Sequence, residues 1–476
     1  MEVRTRFAPS PTGFMHIGNL RTGLYAYLFA KHNGGKFILR IEDTDRERYV
    51  EGAEELVYRT LASAGIIHDE GPDVGGQYGP YVQSERLGIY KEYAEKLVDL
   101  GGAYYCFCSK ERLESLHDSN GVGKYDKHCL SLSKEEVKAR IAAGEPYVIR
   151  QNIPASGVSE YDDMVYGHIS VDVKDMDDCV LLKSDGYPTY NFANVIDDHL
   201  MNITHVIRGS EYLSSTPQYN LLYDAFGWER PKYIHLPPIM KDATRKLSKR
   251  YGDANYEDFI GKGYMKEAIV NYVALLGWSP KNDVEKMSLD ELIASFGVQG
   301  LNNSPSIFDE AKLKWLNQEY VKELSVDKFE ELARPFFEKS KVAGKYDYKK
   351  LSALLIQRTV IFSDIPALVD FLEEYDKDFD ANLYCHKKMK TDLEVAKKCM
   401  PILIDVINDN DWDMELLHEK IAEAAEKYEL KKGQLLWCLR IAVTGKESTP
   451  GGAFEMAELV GKQKCLERLA YQSSRL

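Results

Sequence analysis

Cysteine is scarce, eight in 476 residues, which excludes a disulfide scaffold and suits a reducing compartment where clustered thiols point to metal or redox chemistry. Long hydrophobic runs are missing as well. No window approaches the ~18 or more consecutive apolar residues that a spanning helix needs, which excludes an integral membrane protein built from helices. The opening Met-Glu-Val-Arg-Thr has none of the basic start, apolar stretch and small-residue cleavage site of a secretory leader. The expectation is a soluble, cytoplasmic chain with no membrane partner. Internal repeats, low-complexity tracts and long linkers are also absent. Excess positive charge is lacking: the net charge of -14 disfavours a surface that grips nucleic acid over its whole extent.

Basic charge is instead local. Residues 1–50 carry eight Lys and Arg against five Asp and Glu, and 241–250 carry five against one, whereas 151–200 carry two against ten. A hydrophobic fraction of 44%, with 31 Tyr and 17 Phe, supplies enough apolar surface to offset the entropy of ordering, so the chain folds. At roughly 100–200 residues per domain its length implies three or four domains.

Near the start Val3, Thr5 and Phe7 alternate with Arg4 and Arg6, the period of a strand. Pro9-Ser10-Pro11-Thr12-Gly13 breaks it, Leu20, Leu24, Tyr27 and Leu28 follow at helical spacing, and Asn33-Gly34-Gly35 ends them. Phe37, Leu39 and Ile41 then alternate again. Strand, helix and strand within about 40 residues make a βαβ unit, hence a parallel sheet with ligands at the carboxyl ends of its strands. From Gly102 to Tyr187 the composition changes and reads as an insertion, after which Val206-Ile207-Arg208 and Tyr233-Ile234-His235-Leu236 return to the sheet as short strands. Phe329, Leu332, Ala333 and Phe336 behind a Ser325 cap, and Leu417, Ile421, Ala424 and Tyr428, mark the last 150 residues or so as all-helical.

Two basic or turn-rich segments suit phosphate chemistry. The loop from Ala8 to Gly18 lies at a strand end and feeds a helix, so free backbone N–H groups and the positive dipole end face an anion, and Gly18 permits close approach. His16 can donate to a phosphoryl oxygen there. Lys246-Leu247-Ser248-Lys249-Arg250 concentrates three cations and a hydroxyl, as a lid over a polyphosphate would. Each alone is also compatible with an ordinary solvated turn.

Together they carry a resemblance. His16-Ile17-Gly18-Asn19 resembles the HIGH signature of class I aminoacyl-tRNA synthetases, and Lys-Leu-Ser-Lys-Arg resembles their KMSKS signature, in the expected order. Arg6 to Gly13, Arg40-Ile41-Glu42-Asp43-Thr44-Asp45, Asp69-Glu70-Gly71-Pro72, Gln83-Ser84-Glu85-Arg86, Leu182 to Tyr190, Ala193 to His199, Val206 to Gly209, Lys432 to Leu435 and Arg440 to Gly445 are similar to the glutamyl-tRNA synthetase family along the whole chain. Asn19 stands where HIGH ends in histidine, a position at which the family varies, and Leu247 replaces methionine while both signature lysines remain. The related glutaminyl-tRNA synthetases have β-barrel anticodon regions, the short tRNA-Asp-modifying relatives lack the helical domain, and non-catalytic paralogues tend to lose a signature lysine or histidine.

The resemblance implies an α/β fold: a Rossmann-type parallel-sheet catalytic domain in two halves, 1–101 and 188–240, interrupted by an acceptor-binding insertion at 102–187. A stem-contact region at 241–322 and an all-α anticodon-binding domain at 323–476 follow. It implies activation of L-glutamate by ATP with Mg²⁺ and transfer to the terminal ribose of tRNA-Glu, extended in some members to tRNA-Gln, by a monomer with no DNA partner. His16, Lys246 and Lys249 would be catalytic. Arg6, Ala8, Ser10, Glu42, Tyr190, Asn194 and Arg208 would bind glutamate, Arg6 taking the side-chain carboxylate as a planar bidentate donor and Glu42 the α-amino group. Pro9, Thr12, Gly13, His16, Gly18, Asn19, Glu211, Lys246, Ser248 and Lys249 would bind ATP.

Cys106-Phe107-Cys108 with Tyr125 and Cys129 offers three thiolates and a phenolate to one tetrahedral zinc, as in some members of this family. Tyr125 and His128 are the candidates for the fourth ligand, and three reduced thiols without a metal are the alternative. In the helical domain Arg358, Trp437 and Arg440 are candidate anticodon contacts, with Trp437 equally suited to the core.

Overall fold

A computed structural model describes residues 2–45, 50–116, 123–247, 255–409 and 411–476. It divides into two compact units, 1–260 with 266–310, and 261–265 with 311–476. The first unit is organised by a parallel sheet. Strands β1 (Arg4–Phe7) and β2 (Lys36–Leu39) pair in parallel, Arg6 opposite Ile38, joined by the helix Ile17–His32. On the other side of β1 lies β8 (His205–Gly209), held where Thr204 donates its backbone N–H to the Arg4 carbonyl at 2.9 Å.

Between these, β3 (Ala103–Cys106), β4 (Val148–Gln151) and β7 (Val180–Leu182) form a separate antiparallel sheet in the order β3-β4-β7. The hairpin of β5 (Val158–Asp163) and β6 (Gly167–Asp172) instead extends the main sheet. There β9 (Lys232–Leu236) pairs in parallel with both β8 and β5, Arg208 opposite His235 and Asp163 opposite Tyr233. The β1-β2 pair and the four-stranded sheet β6-β5-β9-β8 stand side by side with β1 next to β8 but without a ladder between them among the described residues, so β2 and β8 flank β1, and such a switch in the direction of travel opens a crevice at the strands' carboxyl ends.

The alternation in residues 3–7 predicts a strand, and one forms, yet its polar face is not a solvent face. All four residues of β1 are buried, because Arg4 and Arg6 meet carboxylates from distant segments. Burial of a guanidinium is tolerated only when paired in this way. Arg4 Nη1 lies 2.8 Å from Glu70 Oε1, and Tyr81 donates its hydroxyl to the other Glu70 oxygen at 2.5 Å.

The second unit is helical among its described residues. Ser325 caps the helix Val326–Phe337 by accepting the Lys328 N–H at 3.2 Å. The fully buried stripe is Phe329, Ala333 and Phe337, one residue beyond the expected Phe336, as the i, i+4, i+8 ridge selects. Leu417, Ile421 and Ala424 join the same core, while Tyr428 at the helix end is exposed. No described helix is long and apolar enough to cross a membrane.

Candidate active site

The loops that follow β1, β2, β8 and β9 enclose a cavity of about 890 Å³. Arg6, Ala8, Ser10, Glu42, Tyr190 and Arg208 line it, and so do Pro9, Thr12, Gly18, Asn19 and Glu211. Gly13 and His16 lie off this wall. His16 caps the helix Ile17–His32: its Nδ1 accepts the Gly18 N–H at 3.0 Å, so in the neutral ring the proton resides on Nε2. A Cβ on Gly18 would stand 3.2 Å from that Nδ1, which is why glycine serves here. Asn194 is buried one helical turn below Tyr190 and donates to the Tyr190 carbonyl at 2.5 Å, supporting the wall from behind. A turn over Lys241–Arg245, in which Asp242 accepts the Thr244 and Arg245 N–H groups at 3.0 Å, returns the exposed Lys246 to pair with Met240. Ser248 and Lys249 lie outside the described residues.

Behind the amino-acid side of the cavity runs a network of buried charges. Asp198 accepts from Arg6 Nε at 3.0 Å and Nη2 at 3.3 Å, and from Arg40 Nη1 at 2.8 Å. Arg40 Nη2 lies 3.2 Å from Glu42 Oε1, so one guanidinium ties the Arg6 anchor to the Glu42 carboxylate. Asp197 receives Arg86 Nε at 2.7 Å and the Tyr90 hydroxyl and Gln83 amide at 2.9 Å. Burial would raise the Asp198 carboxyl, but Arg6 and Arg40 outweigh it and hold it below the usual range. For Glu42 burial prevails over Arg40 and Arg6 and its carboxyl titrates higher than normal, the environment of a group awaiting one more cation. Arg40, Asp197 and Asp198 carried no role in the sequence reading. The available signal was two adjacent acids after Val195-Ile196 in a helix whose neighbours are apolar.

Arg208 is different from Arg6. Its Nε donates to His235 Nε2 at 3.2 Å and Nη2 to Thr216 Oγ1 at 2.6 Å, and the rings of Tyr212 and Tyr219 lie 4.9 and 5.0 Å from its guanidinium carbon. Among the described residues no carboxylate pairs with it, so a buried cation faces the cavity in want of an anion.

Away from the cavity, Cys106, Cys108 and Cys129 converge, their sulfurs all within 4.8 Å of one another. Cys108 Sγ is 3.6 Å from Cys129 Sγ, near the ~3.7 Å that tetrahedral zinc–thiolate bonds impose. The Tyr125 hydroxyl lies 3.3 Å from both Cys106 and Cys108 Sγ, whereas His128 is exposed and outside the group. In the helical unit Trp437 is buried and donates Nε1–H to the Leu383 carbonyl at 3.1 Å. Arg440 lies with its guanidinium 5.9 Å from that ring, and burial and the nearby Arg358 depress its pKa.

Residues 2–315 match the family described as tRNA synthetases class I (E and Q), catalytic domain, and 328–472 match an anticodon binding domain. A glutamate–tRNA ligase of Clostridium acetobutylicum is 56% identical over 98% of this chain and 97% of its own, and that of Clostridium kluyveri 55% identical over 100% and 98%. The chain belongs to the glutamate–tRNA ligase family. The crystal structure of the glutamate tRNA ligase from Elizabethkingia meningosepticum, solved in complex with its amino acid, superposes with a TM-score of 0.89 at 36% identity and covers both chains completely. Like other class I aminoacyl-tRNA synthetases, this ligase uses ATP, typically with Mg²⁺.

Proposed function

We propose that the enzyme activates L-glutamate and transfers it to the 3′-terminal ribose of tRNA-Glu. The observation that carries this reading is the pairing, in one cavity at the strand ends, of Arg208, a buried cation with no carboxylate partner among the described residues, with Glu42, a buried carboxylate whose pKa is raised. An α-amino acid with an acidic side chain supplies the missing charge to each. Arg6, whose Nε edge is occupied by Asp198, offers its remaining N–H groups to the side-chain carboxylate beside Arg208, and Glu42 receives the α-ammonium.

The α-carboxylate oxygen then attacks the α-phosphorus of ATP, forming the acyl–phosphate bond as the bond to pyrophosphate breaks. No protein nucleophile takes part. Pro9, Thr12, Gly13, His16, Gly18, Asn19, Glu211, Lys246, Ser248 and Lys249 bind the nucleotide, which enters as its Mg²⁺ complex. His16, Lys246 and Lys249 neutralise charge on the transferring phosphorus and the leaving group. The acylated ribose hydroxyl is that of a tRNA whose anticodon arm meets the helical domain at Arg358 and Arg440. The chain acts as a cytoplasmic monomer, in keeping with eight unpaired cysteines. The five segments set out from the sequence, with boundaries at 101, 187, 240 and 322, serve as catalytic halves, acceptor-binding insertion, stem contact and anticodon-binding domain.

The test is transfer of labelled glutamate, with labelled glutamine as control, onto separate tRNA-Glu and tRNA-Gln transcripts. Glutamate on tRNA-Glu is expected. Glutamate on tRNA-Gln too would make the enzyme the first step of an indirect route to glutaminyl-tRNA, and glutamine on either would overturn the carboxylate reading.

Zinc fits the thiolate group, with Cys106, Cys108 and Cys129 as ligands and Tyr125 as the fourth. Such an ion is structural, fastening the 3₁₀ turn His128–Ser131 to the end of β3. Elemental analysis of protein from zinc-replete cells should give about one zinc per chain, falling to near zero in Cys108→Ser. Metal-free wild-type protein with full activity would remove the site from the account.

A further inference from the structure

The residues that hold Arg208 in place come from two neighbouring strands and belong to no sequence signature. His235, opposite Arg208 on β9, presents Nε2 to the Arg208 Nε at 3.2 Å. Its other ring nitrogen, Nδ1, lies 2.7 Å from Asp163 Oδ2 at the end of β5. Asp163 is saturated with donors: Oδ2 also accepts the His235 N–H at 3.2 Å, and Oδ1 accepts the Val165 and Tyr166 N–H groups at 2.9 Å each. All three side chains are buried.

Proton bookkeeping allows one arrangement. The guanidinium is always protonated and has no acceptor, so Nε2 must carry a lone pair. A carboxylate that already receives three backbone N–H groups has no proton to give, so Nδ1 must carry the hydrogen. His235 is therefore neutral and fixed as the Nδ1–H tautomer, and its burial, which lowers the ring pKa below the ordinary value, favours the same state. With Nε on His235 and one Nη2 N–H on Thr216, the nitrogen whose N–H groups take no partner among the described residues is Nη1.

We propose that Asp163 and His235 are positioning residues for the amino-acid pocket: Asp163 selects the tautomer of His235, and His235 clamps Arg208 so that its Nη1 edge addresses the substrate carboxylate. This inference rests on the reading of Arg208 as a carboxylate ligand. The relay works through hydrogen-bond direction, so it is distinguished from simple packing by amides that imitate one ring nitrogen each. In His235→Gln the amide oxygen takes the place of Nε2 and keeps the acceptor. In His235→Asn the amide reaches only the Nδ1 position and the Arg208 Nε–H loses its partner.

Charging assays on the full enzyme should show KM for glutamate raised about 10- to 100-fold in His235→Asn, the scale for a lost hydrogen bond to a charged group. KM for ATP should stay within about twofold, and His235→Gln should recover most of the loss. Arg208→Gln is the control for the underlying reading. If it raises the glutamate KM while His235→Asn does not, the relay is wrong and the pocket stands; if it has no effect, the pocket assignment itself fails. Should His235→Asn not fold, the wild type decides: ¹⁵N shifts of labelled histidine, assigned by the signal missing in His235→Gln, should show Nε2 unprotonated, and a protonated Nε2 would overturn the proposal.

Discussion

Lys249→Ala should slow adenylate formation by ~10²–10³-fold while changing the KM for glutamate little, the scale for removing one oriented group that stabilises developing charge. The reaction places an attacking carboxylate, a transferring phosphoryl group and a departing pyrophosphate in one site, all negative. With no covalent intermediate, acceleration must come from alignment and from cations that meet charge as it develops. Arg6 and Arg208 are the groups proposed for the amino-acid end of the cavity, held there by Asp198, Ile207, His235 and Thr216. The basic residues assigned to the phosphates are those of 246–250, and Lys246 is returned by its turn to the strand residue Met240, just after Pro237 and Pro238 on the cavity wall. A cation that acts on the transition state lowers the maximal rate, whereas one that only holds ATP would raise its KM. Single-turnover formation of adenylate with saturating tRNA separates the two, and an unchanged rate would remove Lys249 from the mechanism.

The features of the chain that were legible in the sequence are those whose geometry is local. The loop Pro9 to Gly13 with His16 and Gly18, the cysteines 106, 108 and 129, and the Ser325 cap each depend on residues a few positions apart, or on a run of types that suits one task. The separate sheet β3-β4-β7 lies within the stretch that its change of composition sets apart. The hairpin β5–β6 of the same stretch was not seen to join the main sheet, because that depends on a single parallel register with β9. The charge network was invisible for a related reason. Arg6 meets Asp198 across 192 positions and Arg40 meets it across 158, distances over which only topology brings side chains together. Reading Arg4 and Arg6 as one face of an alternating strand located the strand correctly. That pattern could not distinguish a solvated face from one neutralised by Glu70 and Asp198.

Asp198→Ala should destabilise the catalytic unit by about 3–5 kcal/mol, the range for breaking a buried ion pair from one side. Asp198 is 2% exposed, and its two oxygens satisfy both Arg6 and Arg40. Its loss leaves two guanidinium groups in low dielectric with Glu42 and Asp197 as the carboxylates nearest Arg40, and takes from Arg6 the one carboxylate that pairs with it directly among the described residues. The effect has a pH signature. Because the folded-state pKa of Asp198 lies below the unfolded value, its stabilisation is complete above the unfolded carboxyl's pKa and is lost as pH falls towards the depressed folded one. The variant should therefore lose most stability at neutral pH and show a shallower decline in acid, which urea titrations at several pH values measure. Freed from its side-on clamp, Arg6 would also cease to present a fixed edge to the cavity, and the KM for glutamate should rise along with the loss of stability. A variant as stable as the wild type at neutral pH would mean that Glu42 and Asp197 alone neutralise the cluster, and that Asp198 orients Arg6 without holding the fold.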